Sequence, residues 1–196
     1  MEYENAKGWI IGAPGGGIAA MFTMMNNARL GVGVEGLGVA EAATQKAVAF
    51  AMERKQGKTP LGEAGTGAII DHADVRRMLM TMKALTATAR AICLDTAFSL
   101  DMAKASDDGA TWKARAAFLT PICKAFSTDT GNEVAHLGVQ VHGGMGFVEE
   151  TGAAQFSRDV RVTAIYEGTN VIQAMDLVGR KLSDGGTAAR AMLAEI

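Results

Sequence analysis

Apolar residues recur at helical spacing over most of the chain, broken by one short extended run near its start. Residues 8–18 read GWIIGAPGGGI. Trp9, Ile10 and Ile11 are consecutive apolar residues of strand type, and the glycine cluster after Pro14 is a turn signal. The pattern predicts one short strand with no second strand behind it, hence no ladder partner within the chain. From residue 18 to about 56 the period becomes helical, ending on the strong helix former AEAATQKAVAFAMERK. Gly57 and Pro60 stop it, and the polar, glycine-rich stretch 58–70 reads as a loop. A second helix is predicted over about 74–105, with Asp71 or Asp74 as its cap. Met78, Met82, Leu85, Ala89 and Ile92 share one stripe of it, and Arg76, Arg77 and Lys83 lie off the stripe. Thr111 is placed to cap a third helix, about 112–140, with Pro121 as a kink signal. After the glycine loop VHGGMGFVEETG come a short helix over about 152–161, a break at IYEGTN, and a last helix to about Leu182 capped by Thr169 or Asn170.

Three long helices and a shorter one, joined by short loops, predict an all-α antiparallel, up-and-down bundle with a short residual β-strand at the N-terminus. Residues 1–17 read as the remnant of a preceding β-unit, and 18–196 as the bundle. Helices of ~30 residues are about 45 Å long. Such rods are long for a lone domain and suggest packing against other subunits or domains.

Composition sharpens this picture. Hydrophobic residues make up 48% and charged residues 20% of the chain, enough to bury a core and to exclude disorder. Aromatics are only 6%, against 12 Met and 24 Gly, so the apolar area is aliphatic and suits packed helices. A formal net charge of -2 argues against nucleic acid as a main partner. No window approaches the ~18 consecutive apolar residues of a membrane span, and the polar start MEYENAKG is unlike a signal peptide. Cys93 and Cys123 stand apart with no zinc spacing, which fits a reducing, cytoplasmic setting and two buried small hydrophobes.

Several short motifs mislead. Gly31-Val-Gly33-Val-Glu35-Gly36 spells the dinucleotide fingerprint, but helical sequence precedes it and no βαβ unit surrounds it. It reads instead as a glycine ridge that lets a neighbouring helix pack close. Gly57-Lys58-Thr59 lacks the upstream glycine of a phosphate loop. Glu133-x-x-His136 is half of a di-iron motif without its other half, so no metal is expected.

The chemistry concentrates in QVHGGMGFVEETGAAQFSRDVRVTAIYEGTNVIQ, residues 140–173. Gln140, Gly143, Gly144, Gly146 and Phe147 form a Q-x-x-GG-x-GF loop; Arg158-Asp159 follow, then Tyr166-Glu167-Gly168-Thr169. Upstream stand Asn27-Ala28-Arg29 and the turn Glu53-Arg54-Lys55-Gln56-Gly57-Lys58. In order and spacing these motifs resemble the C-terminal helical domain of the acyl-CoA dehydrogenase family, over nearly the whole chain. Within that family AMFTMMNNARLGVG and DHADVRRMLMTMKALTATARA look like the branch that includes 3-methylmercaptopropionyl-CoA dehydrogenase.

The resemblance implies an FAD-dependent oxidoreductase that converts an acyl-CoA thioester to its 2,3-enoyl form. Glu167 would be the base that removes the α-proton, while hydride leaves the β-carbon for the flavin. A glutamate of ordinary pKa, near ~4.3, is a poor base for a carbon acid. Burial beside the acyl chain and the flavin would raise it, and N–H donors at the thioester oxygen would stabilise the enolate-like charge. Arg54, Gln140, Gly143 and Gly144 would reach FAD bound mainly to a neighbouring subunit, and Thr169 the flavin of its own. Arg29, Tyr166 and Gly168 would contact substrate, with Arg29 toward the CoA portion or, equally, in a surface ion pair. Implied partners are acyl-CoA, further copies in a dimer or tetramer, and an acceptor such as electron-transfer flavoprotein. Full family members are about twice this length, with further domains covering the flavin. The chain alone is therefore expected to bind FAD weakly or not at all and to be inactive. A contrasting expectation from another class is a helical oligomerisation module with vestigial site residues. A third is an acyl-CoA binder without redox activity.

Overall fold

A computed structural model describes residues 2–60 and 67–195. Three long helices carry the architecture: α1 (Gly17–Glu53), α2 (Ala73–Ala105) and α3 (Gly109–His142). Shorter helices follow: α4 (Gly144–Phe147), α5 (Ala153–Arg161), α6 (Asn170–Asp176) and α7 (Thr187–Leu193). α3 is the hub and touches each of the others. The all-α bundle is as expected, with each long helix within a few residues of its predicted span.

The differences have physical causes. Residues 8–11 form no strand, and Trp9, Ile10 and Ile11 are 87%, 76% and 93% exposed. No described segment offers them a ladder, and an extended run without one has nothing to hold it. The pairing seen outside the helices is an isolated antiparallel bridge between Lys55 and Ala68, which closes the α1–α2 loop beside Arg54. Part of the predicted loop 58–70 lies outside the described residues. α2 is capped by His72, between the proposed Asp71 and Asp74, and α3 by Asp108, three residues before the proposed Thr111; neither start carries a side-chain cap hydrogen bond. Thr169 does occupy the cap position of α6, through its backbone rather than its hydroxyl. α6, where the sequence predicts a last helix to about Leu182, gives way after Asp176 to a π-turn over Leu177–Lys181, and α7 forms beyond it.

The long helices meet along rows of small residues. Gly33, Gly36, Ala40, Ala43, Ala47 and Ala51 line the buried side of α1. Cys123, Ser127, Gly131, Val134, Ala135 and Gly138 are buried along α3. A Cβ at Gly36 would stand 2.5 Å from the Ser127 carbonyl oxygen, and one at Gly131 2.8 Å from that of Gly36. Gly33 and Gly36 of the fingerprint-like run therefore serve the close approach of α1 to α3, as the helical reading of that motif expects, whereas Gly31 is exposed and its Cβ would meet nothing within 4 Å. Met78, Leu79 and Met82 of α2 close the core against Val134 and Val141. Buried hydroxyls on these faces are satisfied within their own helices: Thr44, Thr96, Thr120 and Thr128 each donate to the carbonyl four residues back.

Gly36→Ala should lower stability by about 1–3 kcal/mol, because the added methyl meets backbone that cannot swing aside. Gly38→Ala, where a Cβ meets nothing within 4 Å, should gain up to ~1 kcal/mol from helix propensity. Urea denaturation midpoints of the two variants check the opposite signs.

Candidate active site

The tight turn between α5 and α6 contains Glu167. Residues 162–164 form a single 3-10 turn, after which Glu167 (φ 53°) and Gly168 (φ 84°) adopt left-handed conformations in succession. Glycine takes this geometry freely, whereas a glutamate adopts it at a cost of ~1 kcal/mol or more. The surroundings hold it. The Gly168 carbonyl accepts hydrogen bonds from Lys124 Nζ at 2.9 Å and Gln173 Nε2 at 3.0 Å. A Cβ on Gly168 would stand 2.9 Å from that same Gln173 nitrogen and would have to displace its amide, while the positive φ favours glycine outright. Gln173 Nε2 also reaches the Glu167 carbonyl, at 3.3 Å. Asn170 ties the start of α6 to α3, donating to Asp129 Oδ1 at 2.7 Å and accepting from Lys124 at 3.0 Å.

Tyr166, just before the base candidate, donates its hydroxyl proton to the Glu35 carboxylate of α1. That bond, then burial and the Glu35 charge, push the phenol up to about 12. The Glu167 side chain is half-buried and forms no ion pair with a described residue. Arg29 of α1 lies not at the surface but buried, its Nη1 3.0 Å from Asp176 Oδ2.

Lys124 was not singled out by sequence reasoning. It is completely buried on α3, on the same side as Thr120, Ser127 and Thr128. A lysine in register with that row of small buried residues was the available signal. Burial is the main cause that pulls its ammonium down to about 8, with Arg29 adding to it and Asp129 and Glu167 opposing. An unfolded lysine keeps a pKa near ~10.4. Between pH ~8 and ~10.4 the unfolded chain therefore holds the extra proton, and stability must rise with pH across that window. Below pH ~8 the full penalty is present. We expect the stability difference between wild type and Lys124→Met to shift in favour of wild type by up to ~3 kcal/mol from pH 7 to 10. Parallel urea titrations measure it.

A second cluster forms at the far end of α1, about 28 Å from Glu35 along the helix at ~1.5 Å per residue. Here Phe50, Arg54, Gln56, His142, Gly143 and Gly144 line a cavity of about 400 Å³ that contains no carboxylate. The backbone turns on Gly143 (φ 58°), and neither Gly143 nor Gly144 has any atom within 4 Å of where a Cβ would lie. Gly146 is different: a Cβ there would meet the Val139 carbonyl oxygen at 2.3 Å. His142 stacks on Phe50 with ring centroids 4.4 Å apart, and its Nδ1 bonds the Gly138 carbonyl at 2.7 Å. The Arg54 guanidinium bonds Gln56 at 3.2 Å. Gln140 is exposed beside this cavity, contributing its carbonyl to the Gly143 amide rather than its side chain to the lining. The structure thus brings Arg54, Gly143 and Gly144 together at one end. Tyr166, Glu167, Gly168 and Thr169 form one turn beside the middles of α1 and α3, where Glu35 and Lys124 meet it, and Arg29 pairs with Asp176 at the end of α6.

Comparison with known proteins gives this arrangement a family. The acyl-CoA dehydrogenase C-terminal domain matches residues 15–182. The chain is 50% identical over 194 residues to 3-methylmercaptopropionyl-CoA dehydrogenase of Ruegeria pomeroyi, covering 97% of this chain and 33% of that protein. It is 37% identical over 205 residues to a butyryl-CoA dehydrogenase of Syntrophomonas wolfei, covering 100% of this chain and 34% of that one. The chain thus spans about a third of the length of these curated relatives. Butyryl-CoA dehydrogenase of Megasphaera elsdenii superposes with a TM-score of 0.71 at 28% identity, over 86% of this chain and 39% of the other. With the bundle, the ordered motifs and these relatives in agreement, the chain belongs to the acyl-CoA dehydrogenase family, as its C-terminal helical domain.

Proposed function

We propose that this chain is the base-bearing domain of an FAD-dependent enzyme that dehydrogenates an acyl-CoA thioester between its α- and β-carbons. The observation that carries the proposal is the Glu167–Gly168 turn. It presents a carboxylate free of any described ion pair, on a backbone held from two sides. Glu167 takes the α-proton, and Gly168 and Tyr166 shape the floor on which the thioester lies. The Glu167 amide is placed to donate to the thioester oxygen, stabilising charge as it develops there. FAD, when bound, supplies the acceptor for the hydride from the β-carbon. Arg29 enters this reading through Asp176, as a residue that docks α6 and so the turn.

The residues of the α1 end fit the phosphate-bearing portion of that cofactor. Arg54 offers a fork of donors, the open glycines allow close backbone approach, and no carboxylate lines the cavity to repel an anion. The span along α1 between this cavity and Glu35, which holds the Tyr166 hydroxyl beside the base candidate, supports a division of labour. Thr169 and Glu167 serve the flavin and substrate of one copy, while Arg54, Gln140, Gly143 and Gly144 serve the flavin of another. A homo-oligomer, with electron-transfer flavoprotein or a similar protein as acceptor, completes the reading. The exposed Val171, Ile172 and Met175 of α6 and Val178 of the turn after it favour a second reading, in which the domain serves only as an assembly module.

The test is a chimera in which the matching segment of the R. pomeroyi enzyme is replaced by this chain, sized by light scattering and scanned for flavin absorbance. A yellow oligomer bleached anaerobically by an acyl-CoA supports the proposal. A stable oligomer that stays colourless with added FAD overturns it in favour of the assembly module. The chain alone should show little bound flavin in the same scan.

A further inference from the structure

We propose that Lys124 is a positioning residue for the base, its buried amine clasping the Gly168 carbonyl and so fixing the left-handed turn that aims Glu167. The inference rests on the role proposed for Glu167 and extends it to a residue 43 positions earlier, on another helix.

A lysine without solvent exposure is costly compared with an apolar residue of similar length. Its neighbours on this face of α3 are small: Thr120, Cys123, Ser127 and Thr128 are all buried. Packing alone therefore gives no reason for a cation here. Its hydrogen bonds do. Nζ reaches the Gly168 carbonyl at 2.9 Å and Asn170 Oδ1 at 3.0 Å, on either side of Thr169. A neutral amine has two N–H groups and an ammonium three, so both bonds survive in either protonation state.

The turn needs such a hold. Gln173 also binds the Gly168 carbonyl, but it belongs to α6 and moves with the turn. Asn170 ties the start of α6 to Ala125, Thr128 and Asp129 of α3. Lys124 is the described side chain that carries the anchorage from α3 to the carbonyl between the two left-handed residues and the helix. Without it, Glu167 is free to relax toward right-handed backbone, which would swing its carboxylate away from the substrate.

The test compares wild type, Lys124→Met and Glu167→Gln. In the isotopically labelled chain, a strong intraresidue amide-to-Hα NOE reports positive φ at Glu167. We expect it in wild type and in Glu167→Gln, and its loss in Lys124→Met while amides of α1 and α2 keep their hydrogen-exchange protection. Retention of the NOE in Lys124→Met overturns the proposal. Should that variant not fold, wild type decides: a through-hydrogen-bond coupling between Lys124 Nζ and the Gly168 carbonyl carbon supports the clasp, and its absence from a resolved amine signal overturns it. In the chimera, Lys124→Met should lower kcat roughly 10- to 100-fold with KM changed less than ~3-fold, a split that general loosening of the fold would not give. If Glu167→Gln stays active, the functional reading itself fails. If Glu167→Gln is dead and Lys124→Met turns over normally, only the positioning role fails.

Discussion

Replacing Glu167 by Gln in the assembled enzyme should lower kcat by roughly 10²–10⁴-fold, with KM for the acyl-CoA within ~3-fold of wild type. The substitution keeps the length and shape of the side chain and removes only its capacity to accept a proton. The anchors of the turn are a buried lysine amine and a buried glutamine amide that bind backbone carbonyls, not the carboxylate. Left-handed backbone at residue 167 therefore persists in the variant, and substrate contacts with it. What is lost is stabilisation that exists only as the α-proton leaves, and such a loss falls on kcat and kcat/KM alike. Glu167→Asp is the sharper companion. It keeps a carboxylate but withdraws it by one methylene, and misplacement of ~1 Å costs about 10²-fold. Anaerobic flavin reduction by an acyl-CoA, followed in a single turnover, measures both. A Gln variant that reduces its flavin at the wild-type rate would overturn the functional reading built on Glu167.

The helices were legible because their information is local. A period of 3.6 residues, long runs of Ala, Met and Leu, and the breaks at Gly57 and near Gly109 mark α1, α2 and α3 in the chain itself. The close-packing glycines of α1, Gly33 and Gly36, were legible for the same reason, though their pattern did not separate them from the open Gly31 and Gly38. The expected strand at Trp9–Ile11 was not, because a strand is defined by a partner and no described segment supplies one. Helix starts were also misplaced: a side chain able to cap signals a possible hydrogen bond, and α2 and α3 begin without one. At the site, Glu167 and the glycine loop were visible through ordered motifs. Lys124 and Asp176 were not, because their meaning lies in contacts with residues far along the chain, Gly168 for the one and Arg29 for the other. Burial of a charge is a tertiary fact, and only the small-residue face around Lys124 hinted at it.

Arg29 and Asp176 carry the largest expected effect on stability. Both are almost fully buried, and the Arg29 Nε has no hydrogen-bond partner. Asp176 is the last residue of α6, and its other oxygen lies 3.2 Å from Nε of the exposed Arg180. The Arg180 guanidinium in turn sits 5.6 Å from the centre of the Phe22 ring, so the carboxylate joins α1 to the end of α6 by two routes. Asp176→Asn leaves the buried Arg29 cation in place without its counter-charge. Breaking a buried pair in this way costs about 3–5 kcal/mol, a large share of the 5–15 kcal/mol typical of a whole domain. Removing both charges together, as Arg29→Met with Asp176→Leu, should cost clearly less than the sum of the single changes, since neither charge is then stranded. Arg180→Met, at the exposed end of the network, should cost less than ~1 kcal/mol. Urea unfolding of wild type, Arg29→Met, Asp176→Leu and the double variant forms the double-mutant cycle, with Asp176→Asn and Arg180→Met measured beside it. A loss below ~1 kcal/mol for Asp176→Asn would mean that Arg29 is compensated from elsewhere, and that α6, with the turn before it, does not depend on this pair for its place on the bundle.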